Sequence, residues 1–212
     1  RALTQVGDLS SFERFVRILA IRTGNLLNVS EVAKDSGVSP STAERWLSIL
    51  ERTYLVYRLE PYYSNLSSRI KKSPKIYFYD VGLAAYLAGF RSAEALEAAP
   101  QLGAFFETLV ISDLKKRIAH NGLETQLYFA NMPRVGEVDL VWEQGSTRHM
   151  AEIKFNKTPK SEQAESLRKI AKQFGKNVGD KAVVGIFSEK QVSKEISYIS
   201  WIDLYRFVQE HS

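Results

Sequence analysis

The chain has 212 residues, 44% of them hydrophobic and 25% charged, an ordinary globular composition large enough to bury a core in one domain or two. It contains no cysteine, which excludes disulfides and thiolate zinc sites, and no apolar run approaches the roughly 18 residues that span a bilayer. Lys and Arg number 29 against 24 Asp and Glu, giving +5 at neutral pH and a pI near 9.3, an excess that permits a nucleic-acid partner without demanding one.

The first element is a helix over 11–23, with Phe12, Phe15, Val16 and Leu19 at the spacing of one buried face. After a turn at Gly24 and Asn25, Ser30 is expected to cap a short helix that Gly37 ends in the left-handed conformation. Ser39-Pro40 starts a second helix, buried through Ala43, Trp46, Leu47 and Leu50. Strands follow at 54–60, where Leu55, Tyr57 and Leu59 alternate with Val56 and Arg58, and at 75–79, with a Ser-, Lys- and Arg-rich loop between. A short helix at 81–88 precedes residues 90–101, which read as a linker closed by Pro100.

Two short helices joined by Gly37-Val38-Ser39, then a strand pair, have the pattern of a winged helix-turn-helix. Ser41, Thr42 and Arg45 would face nucleic acid from the second helix, since short hydroxyls let backbone approach phosphate and Arg45 can bond a phosphate or a guanine edge. Arg69, Lys71 and Lys72 would form a basic wing tip. The competing reading is a protein–protein spacer, and the acidic Glu44 on the reading face favours it.

The second half opens with a long helix over 102–119, followed by strands near 126–130, 135–143 and 148–155. A helix near 160–174, a strand near 181–187 and a final strand and helix (196–210) complete a mixed α/β order. Strict alternation puts Val138, Leu140 and Trp142 on one face of their strand, and Glu137, Asp139 and Val141 on the other. In the next strand Ile153 and Phe155 are the apolar face, while Glu152 and Lys154 point together the opposite way. Two carboxylates, Asp139 and Glu152, supply hard oxygen ligands suited to Mg²⁺ or Mn²⁺, and Lys154 can orient a metal-held water. Glu107 projects inside its helix's apolar arc, where a carboxylate needs a partner such as a metal-bound water or Lys154. Gln163, beside Lys157 and Lys160, could reach a phosphate or the site lysine. Against this stands a plain surface ion pair, because Glu152-Ile153-Lys154-Phe155 is a common half-exposed strand pattern.

Three motifs in order, Gly103-x-x-x-Glu107, Gly136-Glu137-Val138-Asp139 and Glu152-Ile153-Lys154, resemble the PD-(D/E)XK nuclease superfamily, with Val138 at its proline position. With Lys75-Ile76-Tyr77-Phe78-Tyr79-Asp80-Val81-Gly82-Leu83 they look still more like the C-terminal region of bacterial and archaeal AAA+-type ATPases. The resemblance implies a winged helix over 1–90 and a restriction-endonuclease-like mixed sheet flanked by helices over 91–212. It implies Asp139, Glu152 and Lys154 as the nuclease site, with Glu107 as its helix-borne acid. It also implies DNA and an upstream ATPase domain as partners, and the start at Arg1 rather than Met suggests a fragment of such a chain. No Gly-x-x-x-x-Gly-Lys-Ser/Thr loop is present, so no ATP site of that kind is expected in these residues. The same fold could instead be a catalytically silent DNA- or protein-binding regulator of that ATPase. His120, His149 and His211 lack zinc spacing, and a cytoplasmic location is expected because no targeting segment is visible.

Overall fold

A computed structural model describes residues 8–62 and 73–210. The described residues are mixed α/β, and their contacts divide them into two compact units. The first holds the residues through Leu59 together with Ser73–Ser112; the second holds 60–62 and the residues from Asp113 onward. Among the described residues no helix is long and apolar enough to cross a membrane.

The first unit starts with α1 (Leu9–Ile21), α2 (Val29–Ser36) and α3 (Pro40–Arg52). Asp8, Asn28 and Ser39 cap them, each side chain accepting a backbone N–H from the first turn. The α2 cap is Asn28 rather than Ser30. Its carbonyl takes the Glu31 N–H while its amide donates to the Glu31 carboxylate at 2.9 Å, a reciprocal closure that Ser30, two residues further into the helix, does not make. Gly37 ends α2 at φ 75°, the left-handed geometry expected of it. Trp46 of α3 is the hub of the packing, meeting Phe12 and Phe15 of α1 edge-on at 5.2 and 5.5 Å.

Strand β1 (Val56–Pro61) pairs antiparallel with β2 (Lys75–Phe78), Tyr57 opposite Tyr77 and Leu59 opposite Lys75. Both faces of this hairpin are covered. Val56, Ile76 and Phe78 join the helical core, while Tyr57 stacks on Tyr77 at 5.5 Å and hydrogen-bonds the Ser112 hydroxyl. Beyond β2 come α4 (Val81–Leu87), α5 (Ala93–Glu97) and α6 (Leu102–His120), which runs in this unit as far as Ser112. The stretch 90–101 is thus not all linker: Ser92 caps α5 by accepting the Ala95 N–H.

In the second unit the last two residues of β1 pair parallel with β3 (Tyr128–Met132). The sheet continues through β4 (Gly136–Gln144) and β5 (Thr147–Ile153), both antiparallel to their predecessors, then β6 (Val178–Gly185) parallel to β5. Next in the sheet is β8 (Ile196–Ser200), parallel to β6, with the three exposed residues of β7 (Gln191–Ser193) at the edge. Helix α7 (Glu165–Phe174) lays Leu167, Ile170 and Phe174 over Val138, Val141, Met150 and Val183. On the other face Trp142 meets Phe207 of α8 (Leu204–Gln209) edge-on.

Strict alternation fails in β4. Tyr128 is opposite Val141 but Ala130 is opposite Val138, so two residues of β4, Asp139 and Leu140, face the single Phe129 of β3. This is a β-bulge, which bends a strand and re-aims a side chain. Val138 and Val141 consequently lie in the same core cluster instead of on opposite faces.

Candidate functional site

Asp139 is one of the two bulged residues of β4. Registered pairing between β4 and β5 ends at Leu140 opposite Ala151; the next rung would have set Asp139 against Glu152. There the Asp139 carboxylate takes the Ile153 backbone N–H at 2.8 Å, in place of a rung between main chains. Asp139 is thereby fixed to the residue between Glu152 and Lys154. Glu152 in turn receives the Lys154 ammonium at 2.6 Å. Asp139 thus meets the backbone between Glu152 and Lys154 at the C-terminal end of β5.

Both carboxylates are sequestered, Asp139 at 6% and Glu152 at 5% exposure, while the Lys154 side chain is 45% exposed. Burying a charged carboxylate is costly unless hydrogen bonds or a cation offset it. The donor set fits a hard cation that keeps most of its waters, because Mg²⁺ is commonly held by one or two carboxylates.

The remaining expected residues have the following partners. Glu107 lies on the part of α6 that belongs to the first unit, where its carboxylate accepts from Lys75 Nζ at 3.0 Å and from the Tyr77 hydroxyl. The partly buried carboxylate does have partners, and these two come from β2. Period-two alternation already places Lys75 and Tyr77 on one face, which was the available signal. The Gln163 carbonyl accepts the Lys160 N–H at 2.9 Å and so closes the turn that opens α7. Phe155, expected on the buried apolar face with Ile153, is 42% exposed.

On α3, Ser41 and Arg45 are exposed, and the Ser39 hydroxyl bonds those of Ser41 and Thr42 at 2.9 and 3.0 Å. Glu44, the acidic residue that weighed against a phosphate-facing surface, is paired with Arg58 of β1, which also binds Glu51. Arg69, Lys71 and Lys72 lie outside the described residues.

Two family models match the chain. Residues 1–94 match the one described as "Domain of unknown function (DUF8612)", and residues 102–204 match "Domain of unknown function (DUF4143)". The chain is also similar to two mycobacterial proteins, "Uncharacterized protein Mb2031c" of Mycobacterium bovis and "Uncharacterized protein Rv2008c" of Mycobacterium tuberculosis. Each is 34% identical over 162 residues, which is 75% of this chain and 36% of the relative. The chain thus spans about a third of the length of the curated relatives it matches.

One titrating group of the first unit has a consequence for stability. Burial pushes the Tyr57 phenol well above its ordinary range, and the negative charge of Glu107 adds to this, while the Ser112 hydrogen bond opposes it. A pKa raised in the folded state contributes stability that is complete below the unfolded value, about 10 for tyrosine, and is lost as pH climbs above it. Unfolding should therefore become easier above about pH 10. Tyr57→Phe is expected to flatten that alkaline limb, as read by circular dichroism alongside phenolate absorbance at 295 nm.

Proposed function

We propose that this chain handles DNA, and that its second unit hydrolyses phosphodiesters with the help of a divalent cation. The observation that carries the reading is the Asp139–Ile153 contact, which draws one carboxylate to the tripeptide bearing the other carboxylate and the lysine. Asp139 and Glu152 would hold Mg²⁺ or Mn²⁺, which when bound supplies a Lewis acid and an acidified water. Lys154 has the exposure to face solvent or substrate, and would orient that water and offset charge developing on phosphate. A mixed sheet with α7 on one face and α8 on the other is compatible with a restriction-endonuclease-like fold of the PD-(D/E)XK kind.

For the first unit we propose a winged helix-turn-helix. Its support is α2, the left-handed Gly37, a hydroxyl-lined start to α3 and the β1–β2 pair. Glu44 there is ion-paired with Arg58, a cation it shares with Glu51. By the resemblance of its motifs, the chain would be the C-terminal part of an ATPase, with the ATPase core as its covalent partner.

The test is nicking of supercoiled plasmid by the purified chain in Mn²⁺. Cleavage that chelator abolishes and that both Asp139→Ala and Lys154→Ala eliminate is the expected result. A second reading has its own observation: Asp139 and Glu152 both have protein partners, as they would in a silent regulatory domain. Intact plasmid with retarded mobility on a gel would establish that reading and overturn the hydrolytic one.

A further inference from the structure

Immediately after Lys154 the chain runs Phe155-Asn156-Lys157-Thr158-Pro159-Lys160, with no acidic residue until Glu162. Phe155, Lys157 and Lys160 are all exposed. A single exposed aromatic is ordinary on a protein surface. This one sits inside a purely basic segment at the C-terminal end of a strand in the parallel part of the sheet, where ligands of α/β proteins commonly bind.

The segment is also pinned from end to end. The Lys154 N–H bonds the Val184 carbonyl, and the Ile186 N–H bonds that of Asn156 at 2.8 Å. The Asn156 side chain accepts the Thr158 N–H at 2.9 Å, and Gln163 accepts that of Lys160. Tyr198 donates to the Lys160 carbonyl, and Pro159 restricts the backbone between them. An aromatic ring and two ammonium groups are thus presented from ordered backbone, which lowers the entropy lost when a ligand binds.

The geometry points to a strand-binding ridge: the segment 154–160 binds an unpaired nucleotide strand, Phe155 stacking on a base while Lys157 and Lys160 hold neighbouring phosphates. Every base has a π-face, and in a paired helix both faces are already stacked, so the ring selects unpaired over duplex substrate. This deepens the nucleic-acid reading above and rests on it, naming the substrate class as single-stranded or locally melted.

The test is fluorescence anisotropy with the 212-residue chain in EDTA, where no cleavage interferes. The probes are labelled dT15, U15 and a 15-base-pair duplex. Phe155→Ala is expected to weaken dT15 binding about ten-fold or more, the range that loss of one stacked base produces. Phe155→Trp is expected to retain affinity, with indole emission quenched on binding. Lys157→Ala/Lys160→Ala should lower the slope of log K against log salt by about 1.4, from about 0.7 for each phosphate contact on a single strand. Tighter binding of U15 that still needs Phe155 supports the same chemistry and names RNA as the source. Affinity for both single strands within two-fold of wild type in a folded Phe155→Ala overturns the proposal, as does no binding at all. Nicking without dependence of binding on Phe155 would defeat this inference alone. Binding through Phe155 without nicking would defeat the hydrolytic reading alone.

Discussion

Asp139→Asn is expected to fold and melt close to wild type while losing divalent-cation-dependent cleavage by at least about 100-fold, the upper range for disturbing even an outer partner of a metal site. The reason lies in the two tasks the carboxylate combines. As an acceptor it satisfies the Ile153 N–H at 2.8 Å, a group on a residue that is itself buried. An asparagine carbonyl can take the same N–H, so the strand end stays closed. What asparagine lacks is the negative charge that a hard cation requires. Asp139→Ala removes both. A hydrogen bond to a charged acceptor contributes about 1.5–3 kcal/mol, so the alanine variant should melt several degrees lower than the asparagine variant. Faster hydrogen exchange at the Ile153 amide in alanine, with protection kept in asparagine, would locate the change. Cleavage retained by Asp139→Asn at wild-type rate would remove Asp139 from the metal site.

That pair of variants separates structure from chemistry at a position where the sequence was only half legible. The identity of the residues was readable: a carboxylate on one strand and Glu-x-Lys on the next is a pattern visible without coordinates. Their meeting at one strand end was expected from alternation on neighbouring strands as well. The bulge was not: one extra residue in β4 opposite Phe129 leaves no dependable trace in a run such as Glu137-Val138-Asp139-Leu140. The helices were legible because their buried faces recur with period 3.6 and because Gly37, Ser39 and Pro40 are strong punctuation. Asn28 and Ser30 are both good caps, and only the Glu31 side chain decides between them. Short β7 has three exposed residues and no apolar alternation, so nothing in the sequence marks it. Phe155 illustrates the opposite error. Period two continues past Ile153 in the sequence, but the strand ends there, and with it the rule that assigned Phe155 to the core.

Glu107→Ala should be the most destabilising of the charge substitutions, by about 3 kcal/mol, or a melting temperature roughly 6–12 °C lower. The Lys75 and Glu107 side chains are 5% and 13% exposed, so this ion pair is shielded from the solvent that makes surface pairs weak. Removing the carboxylate takes away an acceptor 3.0 Å from the Lys75 ammonium and the acceptor of a hydroxyl on Tyr77, which is fully buried. The cost belongs to the mismatch left behind more than to the attraction itself, which gives a second, opposite expectation. Lys75→Met combined with Glu107→Leu removes both charges, and should recover most of the stability lost by Glu107→Ala. Glu107→Gln should lie between, because its carbonyl can still accept from Tyr77. These measurements bear on function as well as folding. If Glu107 acts through β2, its variants should lose stability in proportion to Lys75→Met and cleave normally per folded molecule. Loss of cleavage by Glu107→Gln at an unchanged melting temperature would instead assign Glu107 to the metal site, as the motif resemblance implies.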